Sequence, residues 1–461
     1  MNNLKTLSLL TLAVSATLLT GCGDAETTII EREPIIEQPP SDGGGDGGGG
    51  NDFLIESMGR LAVSSSQSNS VSMIDLDDGA LLDTFTLSND GSRVYPSASY
   101  RYAVVVARNA DMVEFIDGGL WREDHVGHLH DYEQAPQMSD YTLSGSQPTH
   151  FVNHDGQSAI FYDGDSAAGT PASVHVISDM DITNENDSPA SLMYTINMHG
   201  AAEPRGEYLL SSIRRDDAES TSGNKILPDQ VGVYHLHDGE YELEQTFDMA
   251  CPDLHGAAQN HDFVLFGCGD GVLVAHEHDG EFESSKIANI DAIDGLRIGS
   301  IYGHHDAEAF IGIASNRATG EVIVLSIDPE ASTMEVIDWQ AQEGASPIAY
   351  AFSYDGEHAL ILDSLGNLSI LSAHLHSGVN EFEFEGRVEL SDEDLSSMPE
   401  GVSFSMTVAQ NGGYAFVADP IAQHVLMVHI EDMEVEGDFE LDFIPANVTW
   451  LGIAEEAHDH P

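Results

Sequence analysis

The sequence predicts an all-β protein, a β-propeller of eight four-stranded blades. From residue 52 onward one unit repeats: an apolar strand, often preceded by an Asp-Gly or Asn-Gly turn, is followed by a polar gap and a second, alternating strand. No long pattern of helical period intervenes, and short strands at this spacing are typical of propeller blades. Successive units lie 42 to 56 residues apart, and their first strands begin near Leu61, Ala103, Ala159, Tyr208, Phe263, Phe310, Ala359 and Tyr414.

The C-terminus predicts how the ring closes. Residues 445–450, Pro-Ala-Asn-Val-Thr-Trp, resemble residues 148–153, Pro-Thr-His-Phe-Val-Asn. We expect the C-terminal segment to supply the innermost strand of the blade whose next strand begins at Leu61. A ring closed by both termini protects its edge strands. Seven blades result if one strand pair is an insertion, and a pair of β-sandwiches is the alternative architecture.

The N-terminus predicts export and lipidation. Residues 1–21 carry one early charge, Lys5, and an apolar run too short to anchor in a bilayer, which is typical of a signal peptide. The ending Leu-Thr-Gly-Cys at residues 19–22 resembles the bacterial lipobox. We therefore expect cleavage before Cys22 and lipidation of its thiol, so that the protein is attached to the membrane by its lipid alone. An ordinary secretory peptide is the alternative.

Domain boundaries and location follow from this start. Residues 22–51 are acidic and rich in glycine, which predicts a flexible tether; residues 52–455 form the propeller and residues 456–461 a tail containing His458 and His460. The lipid places the protein in the cell envelope, facing the periplasm. Asp24 is the third mature residue, and this position favours the outer membrane over the inner one.

The charge balance limits the partners. The chain has 79 acidic and 15 basic residues, a net charge of −64. Such a surface repels nucleic acid and anionic lipid and concentrates cations. A halophilic or marine origin explains the acidity without any function, but acid enrichment does not account for 22 histidines.

Three repeats carry a histidine where the innermost strand of a blade begins. These are Pro148-Thr149-His150, Met198-His199-Gly200 and Leu254-His255-Gly256. Because innermost strands meet around the channel, we expect the three imidazoles to converge and to bind zinc, which takes about four N, O or S ligands. One of His304, His305 or a carboxylate is expected to complete the sphere. The alternative is a set of channel histidines bonded to backbone.

A second group lies in a predicted mobile loop. It contains Asp124, His125, His128 and His130. In an extended chain His128 and His130 lie on one face, and Asp124 attracts a dication. We expect this loop to acquire or transfer the metal ion.

Cys251 and Cys268 are the two cysteines of the mature body, 17 residues apart on either side of His255. In an oxidising envelope such a pair favours a disulfide over a metal site. The bond would then hold the backbone beneath His255.

Catalytic patterns are weak, and we expect no enzymatic activity. The sequence has no Gly-x-Ser-x-Gly, no His-Glu-x-x-His and no phosphate-binding glycine loop. Two other classes stay open. One is a metal-dependent hydrolase of the lactonase or esterase type, and the other is a metal-free interaction scaffold.

The order of these motifs resembles the periplasmic zinc metallochaperones called AztD. The shared pieces are the His-rich loop at residues 124–130, residues 148–156, Met198-His199-Gly200, residues 251–256 and residues 266–274. The resemblance implies a β-propeller that binds zinc and passes it to the solute-binding protein of a zinc ABC importer. The expected lipidation and the high acidity distinguish this chain from that family. Binding requires neutral imidazole, so we expect occupancy to fall below about pH 6.

Overall fold

Eight four-stranded sheets arranged in a ring form the body of the protein. They are seen in a computed structural model that describes residues 29–31, 57–124, 129–214, 227–278, 280–391 and 393–455. Each set of four strands is antiparallel and forms one blade, and two of the blades are joined into one eight-stranded sheet. The prediction of eight blades is confirmed, and the seven-bladed and sandwich alternatives are wrong.

Blades 1 to 4 occupy the first half of the ring. From the innermost strand outwards, their strands are Pro445–Leu451, Arg60–Ser65, Ser70–Asp75 and Leu81–Thr86 in blade 1; Arg93–Pro96, Tyr102–Ala107, Met112–Asp117 and Gln137–Ser144 in blade 2; Pro148–His154, Gln157–Tyr162, Ser173–Ile177 and Ala190–Met193 in blade 3; and Ala202–Arg205, Tyr208–Ile213, Gln230–His237 and Glu240–Thr246 in blade 4. The outermost strands of blades 3 and 4 touch through one parallel bridge.

Blades 5 to 8 complete the ring. In the same order, their strands are Ala257–Gln259, Phe263–Cys268, Gly271–His278 and Glu281–Ala288 in blade 5; Arg297–Tyr302, Phe310–Asn316, Glu321–Asp328 and Thr333–Val336 in blade 6; Pro347–Phe352, His358–Asp363, Asn367–His376 and Val379–Glu389 in blade 7; and Ser405–Val408, Tyr414–Asp419, His424–His429 and Glu434–Glu440 in blade 8.

Both ends of the propeller chain meet in blade 1. Pro445–Leu451 pairs antiparallel with Arg60–Ser65, as the sequence predicts. Trp450 is 1% exposed, and its Nε1 donates a hydrogen bond to the Met58 carbonyl oxygen at 3.0 Å. The ring is therefore closed by backbone pairing together with a buried aromatic side chain.

Apolar contacts between neighbouring blades hold the ring together. Among the described residues, eight buried clusters occur, and each joins two adjacent blades. Trp450, for example, packs in one cluster with Phe416 of blade 8 and Leu61 of blade 1. Side chains alternate between the two faces of a strand, so one blade supplies the clusters on both of its sides.

An extra three-stranded sheet is inserted between the third and fourth strands of blade 2. It consists of Leu120–Asp124, Leu129–Glu133 and the short strand Ile30–Glu31. Arg60 is buried and donates hydrogen bonds to the carbonyl oxygens of Gly118 and Gln134, at the two ends of the insertion. Residues 30 and 31, which lie within the predicted tether of residues 22–51, pair with the insertion.

Helical structure is limited to single turns in the described part of the chain. The α-helix is Asp179–Thr183, capped by Ser178, and the 3₁₀ turns are Arg108–Ala110, Asp291–Ile293 and Leu395–Ser397. Within the same residues, no helix has the length and apolar character needed to cross a bilayer.

Replacing Trp450 tests the closure of the ring. Trp450→Ala removes a fully buried side chain, and we expect the free energy of unfolding to fall by about 3–5 kcal/mol. Leu81→Ala is the matched control: Leu81 lies in the outermost strand of the same blade, is 59% exposed, and its loss should cost less than about 0.5 kcal/mol. Denaturant unfolding measures both changes, and equal losses would contradict this role of Trp450.

Candidate metal centre

Three histidines from three successive blades meet at one point. His150 lies in the innermost strand of blade 3, while His199 and His255 lie just before the innermost strands of blades 4 and 5. The Nε2 atom of His199 is 3.2 Å from that of His150 and 2.9 Å from that of His255. All three ligand atoms lie within 4.8 Å of one another, so that one ion could contact them all.

The glycines after two of these histidines allow the blades to approach. A Cβ atom on Gly200 would lie 2.6 Å from the Phe161 ring of blade 3, and one on Gly256 would lie 2.7 Å from the Gly299 carbonyl oxygen of blade 6. Gly256 also has a φ of +75°, a conformation that strains other residues. The His-Gly pairs therefore let an imidazole enter the channel while its backbone packs against a neighbour.

The disulfide holds the His255 segment in place. Cys251 and Cys268 are bonded as predicted, with their Cα atoms 4.9 Å apart. Two backbone hydrogen bonds, each 3.0 Å long, run from the His255 amide to the Gly267 carbonyl and from the Gly267 amide to the Gly256 carbonyl. The bond thus fixes both sides of the segment that presents His255.

Hydrogen bonds to acceptors determine the tautomers of two of the rings. His199 Nδ1 lies 3.0 Å from Asp163 Oδ2, and His255 Nδ1 lies 2.6 Å from the Gly299 carbonyl oxygen. A carboxylate and a carbonyl only accept, so each Nδ1 carries the hydrogen. In the neutral rings each Nε2 atom then carries a lone pair and no hydrogen, and the two Nε2 atoms face each other at 2.9 Å. Only a proton or a metal ion between them relieves this repulsion.

Burial disfavours the proton. It lowers the pKa of His150 to about 3, with a further contribution from the neighbouring imidazoles of His199 and His255. Burial also lowers the pKa of His255. Both rings therefore stay neutral at pH values where free imidazole is protonated. A metal ion fits this place, since tetrahedral Zn–N bonds of about 2.0–2.1 Å put ligand atoms about 3.3 Å apart.

Asp163 connects the centre to the rest of blade 3. Burial raises its pKa, but hydrogen bonds from His199 and Arg108 outweigh this, and the pKa is lowered overall. Arg108 Nη2 lies 2.7 Å from Asp163 Oδ2, and Arg108 Nε donates to Thr149 Oγ1 at 3.0 Å. A charged carboxylate behind His199 orients that ring and increases its basicity as a ligand.

The centre is open on one side. A cavity of about 850 Å³ between blades 5 and 6 is lined by His255, Asp253, Arg297 and Arg317, among others. The His199 side chain is 31% exposed. An ion or a ligand of another molecule can therefore reach the imidazoles without opening the ring.

His304 and His305 do not belong to this centre, contrary to the expectation. Both lie between the first two strands of blade 6. His304 Nδ1 accepts a hydrogen bond from the Asp306 amide at 3.2 Å, and His305 Nδ1 lies 3.2 Å from Asp155 Oδ1. Blade 6 continues the ring, but its histidines follow the innermost strand instead of preceding it, so they lie at the other end of that strand.

The His-rich loop is a hairpin with ordered arms. Asp124 ends one strand of the insertion, and His130 lies in the next strand with 8% exposure; the role of this group as a mobile metal site stays a prediction. Trp121 stacks on Tyr132 at 5.2 Å, which joins the arms. His125 and His128 fall on residues 125–128, outside the described residues, as do Cys22 and the tail.

No protein-family model matches this chain. Its sequence is similar to the zinc chaperone AztD of Citrobacter koseri, with 22% identity over 417 residues, 87% of this chain and 89% of that protein. Two crystal structures of Citrobacter koseri AztD, one in the apo form, each superpose with a TM-score of 0.68 at 19% identity, over 86% and 87% of this chain and 99% of theirs.

A third structure of the same fold has a different function. The dihydro-heme d1 dehydrogenase NirN aligns with a TM-score of 0.52 and 11% identity over 90% of this chain and 79% of its own. One fold hosts unrelated functions. The structural likenesses therefore establish the propeller architecture, and the function depends on the side chains at the centre.

Sequence reasoning missed the carboxylate and the guanidinium behind the centre. Asp163 directly follows the second strand of blade 3, and Arg108 is in a turn of blade 2, 55 residues earlier. In an acidic chain no single aspartate stands out. The one signal in the sequence is the position of Asp163 at the end of a strand next to the His199 segment. In the structure the backbone amide of Met198 donates to the Asp163 carbonyl, which brings His199 beside Asp163.

A buried carboxyl in blade 4 predicts that the free energy of unfolding depends on pH. Glu203, in the innermost strand of blade 4, is 0% exposed, and burial raises its pKa from 4.5 to about 8. The folded state therefore binds a proton that the unfolded state releases between pH 4.5 and 8, so the free energy of unfolding falls as pH rises through this range. We expect Glu203→Gln to remove this loss.

The measurement is denaturant unfolding of the metal-free protein at pH 5 and pH 8.5. Relative to wild type, the free energy of unfolding of Glu203→Gln should be higher at pH 8.5 than at pH 5. Glu335→Gln, at an exposed position in blade 6, is the matched control. A pH-independent difference for Glu203→Gln would contradict a protonated carboxyl.

Proposed function

We propose that this protein is a zinc metallochaperone of the bacterial cell envelope, which binds zinc and passes it to the solute-binding protein of a zinc ABC importer. The observation that carries the proposal is the pair of Nε2 atoms of His199 and His255, which face each other at 2.9 Å. Their tautomers are set by the Nδ1 hydrogen bonds to Asp163 and to the Gly299 carbonyl. The similarity to the zinc chaperone AztD supports zinc as the ion. The proposed activity is binding and transfer of an ion, without catalysis.

The three imidazoles of His150, His199 and His255 hold the ion, with water or a carboxylate as the fourth ligand. Release proceeds by ligand exchange. A ligand of the partner enters through the cavity beside His255, binds the ion, and replaces the imidazoles one at a time. Because Asp163 and Gly299 hold two of the rings in place, the emptied centre keeps its geometry for the next ion.

The hairpin serves as the acquiring or transferring element. His125 and His128, between the two arms in sequence, and His130 in one arm supply exchangeable ligands, and Asp124 attracts the dication. The arms are fixed to the ring by Arg60 and joined to each other by the Arg122–Asp131 ion pair at 2.6 Å.

Lipidation of Cys22 would place this hairpin close to the membrane. Ile30–Glu31 pairs with the Leu129–Glu133 arm, and residues 22–29 would connect this pair to the lipid. Eight extended residues span at most about 28 Å. The paired segment therefore keeps the hairpin, more than the remainder of the ring, within reach of the envelope surface.

Replacing Asp163 tests the role of the fixed tautomer. Asp163→Asn removes the negative charge behind His199 and can donate to its Nδ1, which favours the wrong tautomer. We expect zinc affinity to weaken by about 10- to 100-fold. Competition with a chromophoric chelator measures the affinity. Asp248→Asn makes the same change at an exposed position and should leave affinity unchanged; equal affinities for both variants would contradict the model of the centre.

Direct transfer is tested with the zinc-loaded protein and the zinc-free solute-binding protein of a zinc importer from the same organism. With excess chelator present, we expect zinc to reach the solute-binding protein faster than it dissociates into the chelator. The His150→Ala/His199→Ala/His255→Ala variant should lose tight binding and transfer. His125→Ala/His128→Ala should bind at the centre but transfer more slowly. Transfer no faster than dissociation would leave a zinc-binding protein without a chaperone role.

A further inference from the structure

A second group of imidazoles and a carboxylate lies at the other end of the innermost strand of blade 3. His154 Nε2 lies 3.1 Å from Asp155 Oδ2, and His305 Nδ1 lies 3.2 Å from Asp155 Oδ1. The two imidazole rings are 5.9 Å apart. One ligand atom from each of the three residues lies within 4.8 Å of the others.

This group is separate from the first centre. His150 and His154 are four residues apart in one extended strand, which puts them about 13 Å apart. The first centre joins blades 3, 4 and 5, whereas the second joins blade 3 to blade 6. Blades 3 and 6 are not neighbours, so Asp155 and His305 approach each other across the rim of the channel.

Blade 5 adds a further imidazole on this rim. The backbone amide of His261 donates to the His305 carbonyl oxygen at 3.0 Å, and the two rings are 5.4 Å apart. His261 Nδ1 lies 2.9 Å from Asp262 Oδ1. His261 of blade 5 thus lies beside His305 on this rim.

Turn chemistry alone does not explain the arrangement. Asp155 and Gly156 have φ values of +43° and +72°, and Asp-Gly is a common pair in two-residue hairpin turns. That accounts for the identity of Asp155 but not for imidazoles from blades 3 and 6 converging on its carboxylate. The His305 Nδ1 atom is buried and close to Asp155, yet its direction does not suit a hydrogen bond. Two ligands that share an ion show this relationship.

We propose that His154, Asp155 and His305 form a second binding site for a divalent cation of the zinc type, at the rim of the channel opposite the first centre. Two imidazole nitrogens and one carboxylate oxygen are a donor set suited to zinc and to cobalt(II) used in its place. Water, or the His261 imidazole that lies beside His305, would take the fourth position. The site stands on its own geometry and does not depend on the chaperone role.

A third group, His235, His237 and Glu244, is a useful contrast. It lies on a single hairpin of blade 4, and the side chains of His237 and Glu244 are both 48% exposed. All three of its ligand residues belong to blade 4. It therefore supplies a matched control for weak binding by surface histidines.

The test uses cobalt(II) as an optical probe in a His199→Ala/His255→Ala background, which lacks the first centre. We expect this background to bind cobalt with visible ligand-field bands. Asp155→Asn keeps the turn, since Asn tolerates the left-handed conformation, and should weaken that binding at least about 10-fold. His305→Ala should have a similar effect, and His237→Ala should have none. Zinc should displace the cobalt.

Three results would overturn the second site. These are no cobalt binding in the background, unchanged binding in Asp155→Asn, or an equal loss in His237→Ala. Asp155→Asn in the protein with an intact first centre gives an independent measurement. There the substitution should reduce the amount of tightly bound cobalt by one ion per chain. Failure here leaves the first centre intact, whereas failure of the chaperone proposal appears as unchanged zinc affinity without His150, His199 and His255.

Discussion

Closure of the ring by the C-terminal strand is the constraint on which everything else depends. The pairing of Pro445–Leu451 with Arg60–Ser65 holds eight blades at fixed angles, and an apolar cluster between each adjacent pair transmits that arrangement around the circle. Residues about fifty positions apart in sequence can then meet at the axis. An open ring would let the blades splay, and His150, His199 and His255 would separate.

Electrostatics then turns this meeting point into a metal centre. Asp163 and the Gly299 carbonyl take the Nδ1 hydrogens of His199 and His255, so the two Nε2 lone pairs face each other and repel. Burial opposes protonation of His150 and His255, and a dication between the rings satisfies both of the facing lone pairs. The surrounding net charge of −64 increases the local concentration of such ions.

Sequence position predicted the location of some histidines in the ring and not of others. His150, His199 and His255 precede or begin an innermost strand, and a shared position in a repeat implies a shared position in the ring. His305 follows its strand, so the same rule misplaced it; it meets Asp155 of a distant blade instead. Asp163 and Arg108 could not be identified because their role depends on contact between blades 2, 3 and 4, which no local pattern records.

The sequence by itself determined the number of blades, the closing strand, the disulfide and the three repeats that carry histidine, because strand period and turn residues are local properties. Tertiary structure alone decided which nitrogen of each ring faces the channel and that His154, Asp155 and His305 lie together. It also decided that Ile30–Glu31 pairs with the His-rich hairpin. These outcomes depend on distances between blades that are far apart in the chain, and only the closed ring sets those distances.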